Sequence, residues 1–286
     1  MPLVFGKPLR GREYVCTSTI IYAVTMNHPS NLRIAILQRS LCWERPNDNR
    51  LAFSTMMAGL KGACNLVLLP EMFTTGFTMN ADRFAEPMIH ETYLWMRREA
   101  AQGSFALGGS LIVEEGGKYY NRFVLVAPDG SIQHYDKRHL FRMGGEHEHF
   151  ARGSSRVVFS YMGWRILPQV CYDLRFPVWS RCRNDYDMVV YVANFPAVRR
   201  DVWNILLRAR AIENQCYAVG VNCVGCDGNG VLYRGDSQVV GPNGELVGAA
   251  AGDEVVLHVE VDYQQLAQYR TDFPALADGD DFRILS

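Results

Sequence analysis

The run Leu66-Val67-Leu68-Leu69-Pro70 constrains the fold more than any other stretch, because it leaves water no face. A strand with one solvated side alternates apolar and polar residues. An unbroken apolar run between turn signals is covered on both faces, as strands of parallel sheets are. Upstream, Leu32-Arg33-Ile34-Ala35-Ile36-Leu37-Gln38 has strand character. Asn47-Asp48-Asn49 is a cap signal for a helix expected to reach about Ala63, with Leu51, Phe53, Met56, Met57 and Leu60 at helical spacing. Strand, helix and strand in that order imply a parallel pair with helices laid over it. The pattern recurs. A buried run over residues 187–193 precedes the clearest helix, residues 201–215, whose Trp203, Leu206, Leu207, Ala211 and Ile212 share one side, and a strand follows over 217–224.

Antiparallel signals separate the two openings. Strands are expected over residues 105–113, 119–127 and 131–135, with Gly116-Gly117 and Pro128-Asp129-Gly130 as turns. A hairpin over 156–160 and 163–170 leads into Cys171. Strands at 237–240 and 245–247 flank Pro242-Asn243-Gly244, and a long strand at 254–261 precedes a short helix at 262–269. No linker-like shift of composition interrupts this order, so one α/β domain is expected over residues 26–265. Residues 1–25 are expected to be an extension outside the fold, since they lack the long apolar core of a signal peptide, and residues 266–286 an arm or tail.

Composition excludes several classes. The 286 residues carry a formal net charge of -1 with Lys and Arg scattered, which argues against a nucleic-acid or membrane surface. No apolar run is long enough to span a bilayer. The eight cysteines lie in a chain far larger than a disulfide-stapled mini-domain, so reduced thiols and a cytoplasmic location are expected.

Three chemical groups share one topological position: Glu71 after 66–70, Lys137 after the antiparallel meander, and Cys171 after 167–170. Ligands of α/β sheets sit at such strand ends. A carboxylate takes a thiol proton, and an ammonium stabilises a thiolate and then an oxyanion. The turn and helix expected after Cys171 favour negative charge there and lower a thiol pKa. Other signals carry less. Cys223-Val224-Gly225-Cys226 lacks a second pair, His147-Glu148-His149 lacks the metal-binding helix spacing, and Arg234-Gly235-Asp236 is a coincidental tripeptide around a turn.

Leu69-Pro70-Glu71-Met72-Phe73, Tyr135-Asp136-Lys137-Arg138-His139-Leu140-Phe141 and Val170-Cys171-Tyr172-Asp173-Leu174-Arg175-Phe176-Pro177 resemble, in order and spacing, the three motifs of the nitrilase superfamily, the carbon–nitrogen hydrolases. The resemblance runs from about Leu32 to Val261. It implies a four-layer αββα sandwich of two mixed sheets, with Cys171 as nucleophile, Glu71 as general base, and Lys137 with the Tyr172 backbone N–H as oxyanion site. It also implies a second glutamate after the lysine, Glu146 in preference to Glu148, no metal or organic cofactor, and a homodimer or higher homo-oligomer. Residues 191–196, the helix from Trp203 to Gln215 and Asp227-Gly228-Asn229-Gly230 are similar to the bacterial omega-amidase branch. That branch deamidates 2-oxo dicarboxylic monoamides such as 2-oxoglutaramate. Such a small-molecule amide needs a cation for its carboxylate, and Arg175, Arg199 and Arg200 are candidates. Phe77, Asn194 and Phe195 are candidate pocket residues. Rivals are another hydrolase of the superfamily (an aliphatic amidase, an N-carbamoyl amidohydrolase or a nitrilase), a non-catalytic scaffold, and a metal-binding module.

Overall fold

A computed structural model describes residues 29–284, so the extension expected over residues 1–25 lies outside the described residues. The chain opens with β1 (Leu32–Gln38), α1 (Pro46–Met57) and β2 (Leu66–Leu68). Helix α1 starts on a proline, whose fixed φ suits a first turn. Asn49 is not its cap: it is buried, and its side chain binds the Cys42 N–H and the carbonyls of Cys42 and Thr74. The helix stops six residues short of the expected end, at Gly59 and at Gly62 with φ +74°, because glycine is costly in a helix interior. Then come α2 (Ala81–Phe84), α3 (Glu91–Gly103) and the meander β3 (Ala106–Glu115), β4 (Lys118–Val126) and β5 (Ile132–Asp136).

The second half holds the short α4 (Glu146–His149), β6 (Phe159–Tyr161), β7 (Trp164–Val170), α5 (Pro177–Ser180), β8 (Met188–Ala193), α6 (Arg200–Asn214) and β9 (Tyr217–Asn222). A small ribbon, β10 (Val224–Cys226) with β11 (Leu232–Arg234), precedes β12 (Gln238–Val240), β13 (Leu246–Ala249), β14 (Val255–Val261) and α7 (Tyr263–Asp272).

Two six-stranded sheets result, ordered β14-β1-β2-β3-β4-β5 and β13-β12-β9-β8-β7-β6. In each, three parallel strands hold the centre (β1, β2, β3 and β7, β8, β9) and antiparallel strands flank them. Strand alternation sorts the core into three layers. Ile34, Leu66, Leu68 and Phe123 of the first sheet meet Ile166, Val190, Val192 and Val219 of the second. The opposite face of the first sheet, with Leu37, Val67 and Leu107, packs on Phe53, Trp95 and Met96 of α1 and α3. The opposite face of the second, with Val189, Tyr191 and Ala218, packs on Trp203, Leu207 and Ala211 of α6. The architecture is the αββα sandwich.

The expected boundary at residue 266 falls inside α7. Asp262 caps this helix by accepting from the N–H groups of Gln264 and Gln265, Leu266 is buried, and Arg270 donates to Asp187 and to the carbonyls of Gln215 and Tyr186. Residues 266–272 are therefore anchored by burial and by charge.

Candidate active site

The parallel centres of both sheets end on the same rim of the sandwich. Glu71 follows β2 and Lys137 follows β5, both on the first sheet. Cys171 follows β7 and Asn194 follows β8, both on the second. The structure brings Glu71, Lys137, Cys171 and Glu146 together. Glu71, Lys137 and Glu146 are buried, and the Lys137 ammonium bridges the two carboxylates, 2.8 Å from Glu71 Oε1 and 2.9 Å from Glu146 Oε2. Glu146 also accepts the Phe141 N–H at 2.5 Å, which ties its loop to the segment after Lys137. Glu148 lies two residues on and is exposed.

Sequence reasoning missed Asn121. It is buried in β4, where its amide donates to Glu71 Oε1 at 2.8 Å and to Glu146 Oε1 at 3.1 Å and accepts from Ser110 at 2.8 Å. An amide among the otherwise apolar inward positions of that strand was the available signal, because a buried polar group needs partners. The other Glu71 oxygen accepts the Asn194 N–H at 2.9 Å, and Asn194 Nδ2 donates to the Glu71 carbonyl at 2.6 Å. Asn194 thus lines the pocket while its side chain is engaged by Glu71 and by Cys223, whose thiol donates to Asn194 Oδ1 at 3.0 Å. Cys226, at the other end of that C-x-x-C, is exposed.

Cys171 sits in the left-handed region at φ +45°, a strained conformation for a residue with a Cβ. The helix expected after it is a five-residue 3-10 turn, Cys171–Arg175, separated by Phe176 from α5, which begins at Pro177. The residue before a proline is pushed out of the α region, so no long helix and no strong dipole forms here. The thiol accordingly departs from expectation. Burial pushes its pKa well above the ordinary range, with Glu71 and Glu146 adding to the rise and Lys137 opposing it. The shift favours the protonated thiol, whose hydrogen bond goes to the Asn194 carbonyl oxygen at 4.0 Å. Burial alone pulls the Lys137 ammonium down, but Glu146 and Glu71 outweigh it and hold the group charged. The Glu146 carboxyl is pushed up by burial, with Lys137 opposing and Glu71 adding.

A cavity of ≈350 Å³ opens onto Cys171, at the small end of small-molecule sites. Phe77, Tyr172, Phe195 and Tyr233 line it, with Arg175 and Arg199 among the wall residues. Neither arginine has a carboxylate partner among the described residues; Arg199 lies over the Phe141 ring at 5.3 Å. Arg200 does not join them. It pairs with Asp236 at 2.5 Å, on the outer face of α6. Asp227 lines the cavity, but it accepts from Asn229 N, Val231 N and the Tyr233 hydroxyl.

A buried carboxylate and ammonium beside a half-buried thiol at a cavity are equipped for thiol acyl transfer. Residues 33–271 match the family described as carbon-nitrogen hydrolase. The chain belongs to that family. Among curated relatives, the omega-amidase YafV of Escherichia coli K12 is 46% identical over 255 residues, covering 88% of this chain and 98% of that protein. A 2-oxoglutaramate amidase of Bacillus subtilis is 29% identical over 250 residues, covering 86% and 96%. Among solved structures, a CN-hydrolase superfamily protein of Xanthomonas campestris, with an arsenic adduct in its active site, superposes with a TM-score of 0.87 at 42% identity, covering 89% and 99%. The chain is therefore a carbon–nitrogen hydrolase of nitrilase fold. No helix among the described residues is long and apolar enough to cross a membrane.

Proposed function

We propose that this hydrolase is an omega-amidase, releasing ammonia from the terminal amide of a 2-oxo dicarboxylic monoamide such as 2-oxoglutaramate. The observation that carries the reading is the pairing of the Glu71–Lys137–Cys171 cluster with a small apolar cavity walled by two arginines that have no carboxylate partner among the described residues. The similarity to YafV and to a 2-oxoglutaramate amidase supports the same substrate class.

In this reading Glu71 removes the Cys171 proton as the sulfur attacks the amide carbon. Lys137 and the Tyr172 backbone N–H stabilise the oxyanion. The tetrahedral intermediate collapses as Glu71 returns its proton to the departing nitrogen, and ammonia leaves a thioester on Cys171. Glu71 then takes a proton from water, the resulting hydroxide attacks the thioester, and the acid leaves as Cys171 recovers its proton. Glu146 fixes the Lys137 ammonium opposite Glu71. Arg199, with Arg175 at the mouth, receives the distal carboxylate, while Phe77 and Phe195 pack on the carbon chain.

We infer a reducing, cytoplasmic setting from the seven cysteines of the described residues, all unpaired. We also infer a homodimer, with exposed Ile205, Ile212 and Leu246 supplying apolar surface; light scattering on the purified protein tests it. The function is tested by ammonia release from 2-oxoglutaramate, glutamine, an aliphatic nitrile and an N-carbamoyl amino acid, by wild type and Cys171→Ala. Turnover of the oxo-amide that vanishes in the variant supports the assignment. Turnover confined to another member of the panel replaces the substrate class.

A further inference from the structure

We propose that Asp173 and His139 form a strut that holds the Cys171–Tyr172 turn in its strained shape, making both positioning residues for the oxyanion steps. The proposal borrows only its assay substrate from the function proposed above.

Asp173 is fully buried and stands two residues after the nucleophile, in the 3-10 turn. Its Oδ2 accepts from the Val170 N–H at 3.0 Å and the Tyr135 hydroxyl at 2.8 Å. Its Oδ1 accepts from the His139 N–H at 2.9 Å and from His139 Nδ1 at 2.8 Å. Four donors therefore converge on one carboxylate from two segments. Val170 immediately precedes Cys171, and Tyr135 and His139 flank Lys137 by two residues on either side. Tyr135 extends the strut by accepting from Trp179 Nε1 at 3.0 Å and from the Arg138 N–H at 3.1 Å. The His139 ring is stacked on Phe176, beyond the far end of the same turn, at 3.8 Å and 9°.

A residue with a Cβ at positive φ persists only where its surroundings over-determine it. Here Asp173 closes the turn back onto Val170, so Cys171 and Tyr172 lie inside a hydrogen-bonded loop. Their two peptide units cannot rotate without breaking it. The Tyr172 N–H, an oxyanion donor in the proposed mechanism, is one of those units. The Lys137 ammonium is clamped separately by Glu71 and Glu146. Weakening the strut thus lets the Cys171–Tyr172 turn shift relative to the ammonium, which disturbs alignment of the backbone donor with Lys137 far more than the bare reactivity of the thiol.

That separation gives the test. Alkylation of Cys171 by iodoacetamide is displacement at saturated carbon and develops no oxyanion, whereas amide hydrolysis develops one twice. Asp173→Asn turns an NH₂ group toward donors that need an acceptor. It is expected to lower kcat by about 10–100-fold with KM within about 2-fold, in line with loss of oxyanion geometry. The alkylation rate at pH 8.5 is expected to stay within about 3-fold. His139→Ala is expected to lower kcat less, and His139→Asn, whose Nδ2 reaches the same oxygen, to restore most of it. Should Asp173→Asn fail to fold, His139→Ala and His139→Asn, which leave the other three donors to Asp173 in place, carry the test. A folded variant with wild-type kcat overturns the proposal. So does a parallel fall of turnover and alkylation, which marks general loosening. If the wild type ignores 2-oxoglutaramate, the function falls and the strut is scored on the panel amide it does hydrolyse. If it hydrolyses none, the strut falls too.

Discussion

Lys137→Met keeps the length of the side chain and deletes its charge, and its consequences follow from two distances. The ammonium lies 2.8 Å from Glu71 and 2.9 Å from Glu146, both buried. Two oxygens held on one nitrogen are at most about twice that distance apart. At ~5 Å and an effective dielectric constant of ~20, two bare carboxylates repel by ~3 kcal/mol. Without the ammonium, that repulsion holds a proton on one of the pair to about two pH units above the ordinary glutamate range. Turnover then loses an oxyanion donor, on the order of 10²–10³-fold, together with the charge state the base requires; a fall of at least ~10³ is expected. The stability effect has a definite sign. The folded variant binds one more proton than the unfolded chain, so its unfolding free energy falls as pH rises, by ~1.4 kcal/mol per pH unit within the window. The loss begins above the ordinary glutamate pKa of about 4.3 and is limited to the ~3 kcal/mol of repulsion. Urea unfolding of wild type and variant at pH 5, 6, 7 and 8 measures it, with ammonia release alongside. A stability difference flat across that range, or turnover within tenfold of wild type, refutes the bridging role given to Lys137.

Arg199→Met should raise KM for 2-oxoglutaramate by about 10–100-fold, the loss of one charge-assisted contact of ~1.5–3 kcal/mol, and leave a neutral aliphatic amide within about 2-fold; steady-state kinetics on both amides decides it. Because burial and two carboxylates push the Cys171 thiol up, alkylation of the free enzyme by iodoacetamide should be slow at pH 7 and still be rising at pH 9; a plateau below pH 7 contradicts the resting thiol. Gly153→Ala puts a Cβ 2.1 Å from the Asp136 carbonyl oxygen, and backbone cannot yield as a flexible side chain can. The Lys137 and Glu146 segments must then part, lowering the melting temperature by roughly 3–10 °C, as overpacking of ~1–3 kcal/mol implies for a domain of this size; a melt within about 1 °C of wild type rejects the close approach.

What was legible in the sequence follows from how each feature is encoded. The buried runs at 66–70 and 187–193 announce parallel strands because burial on two faces leaves no polar alternation, and strand ends located Glu71, Lys137 and Cys171. Glu146 and Glu148 are two residues apart with like charge, and only the short α4 turn decides that one enters the site and the other meets water. Arg200 and Arg199 adjoin in sequence, yet the start of α6 sends one to Asp236 and the other to the cavity. Asn121 acts across fifty residues on Glu71, a partnership that no local pattern encodes. The thiol's direction of shift was misread because a proline shortened the expected helix and because burial outweighs the remaining dipole.

The site draws Glu71 and Lys137 from one sheet and Cys171 and Asn194 from the other. The hydrogen bond from the Asn194 N–H to the Glu71 carboxylate crosses the apolar seam between them. The site therefore behaves as a gauge of registry between two slabs: sliding one across the other by an ångström leaves every strand paired and every helix wound, yet parts Glu71 from Cys171. Catalysis fails before the architecture does, and neither slab alone carries a fraction of the activity.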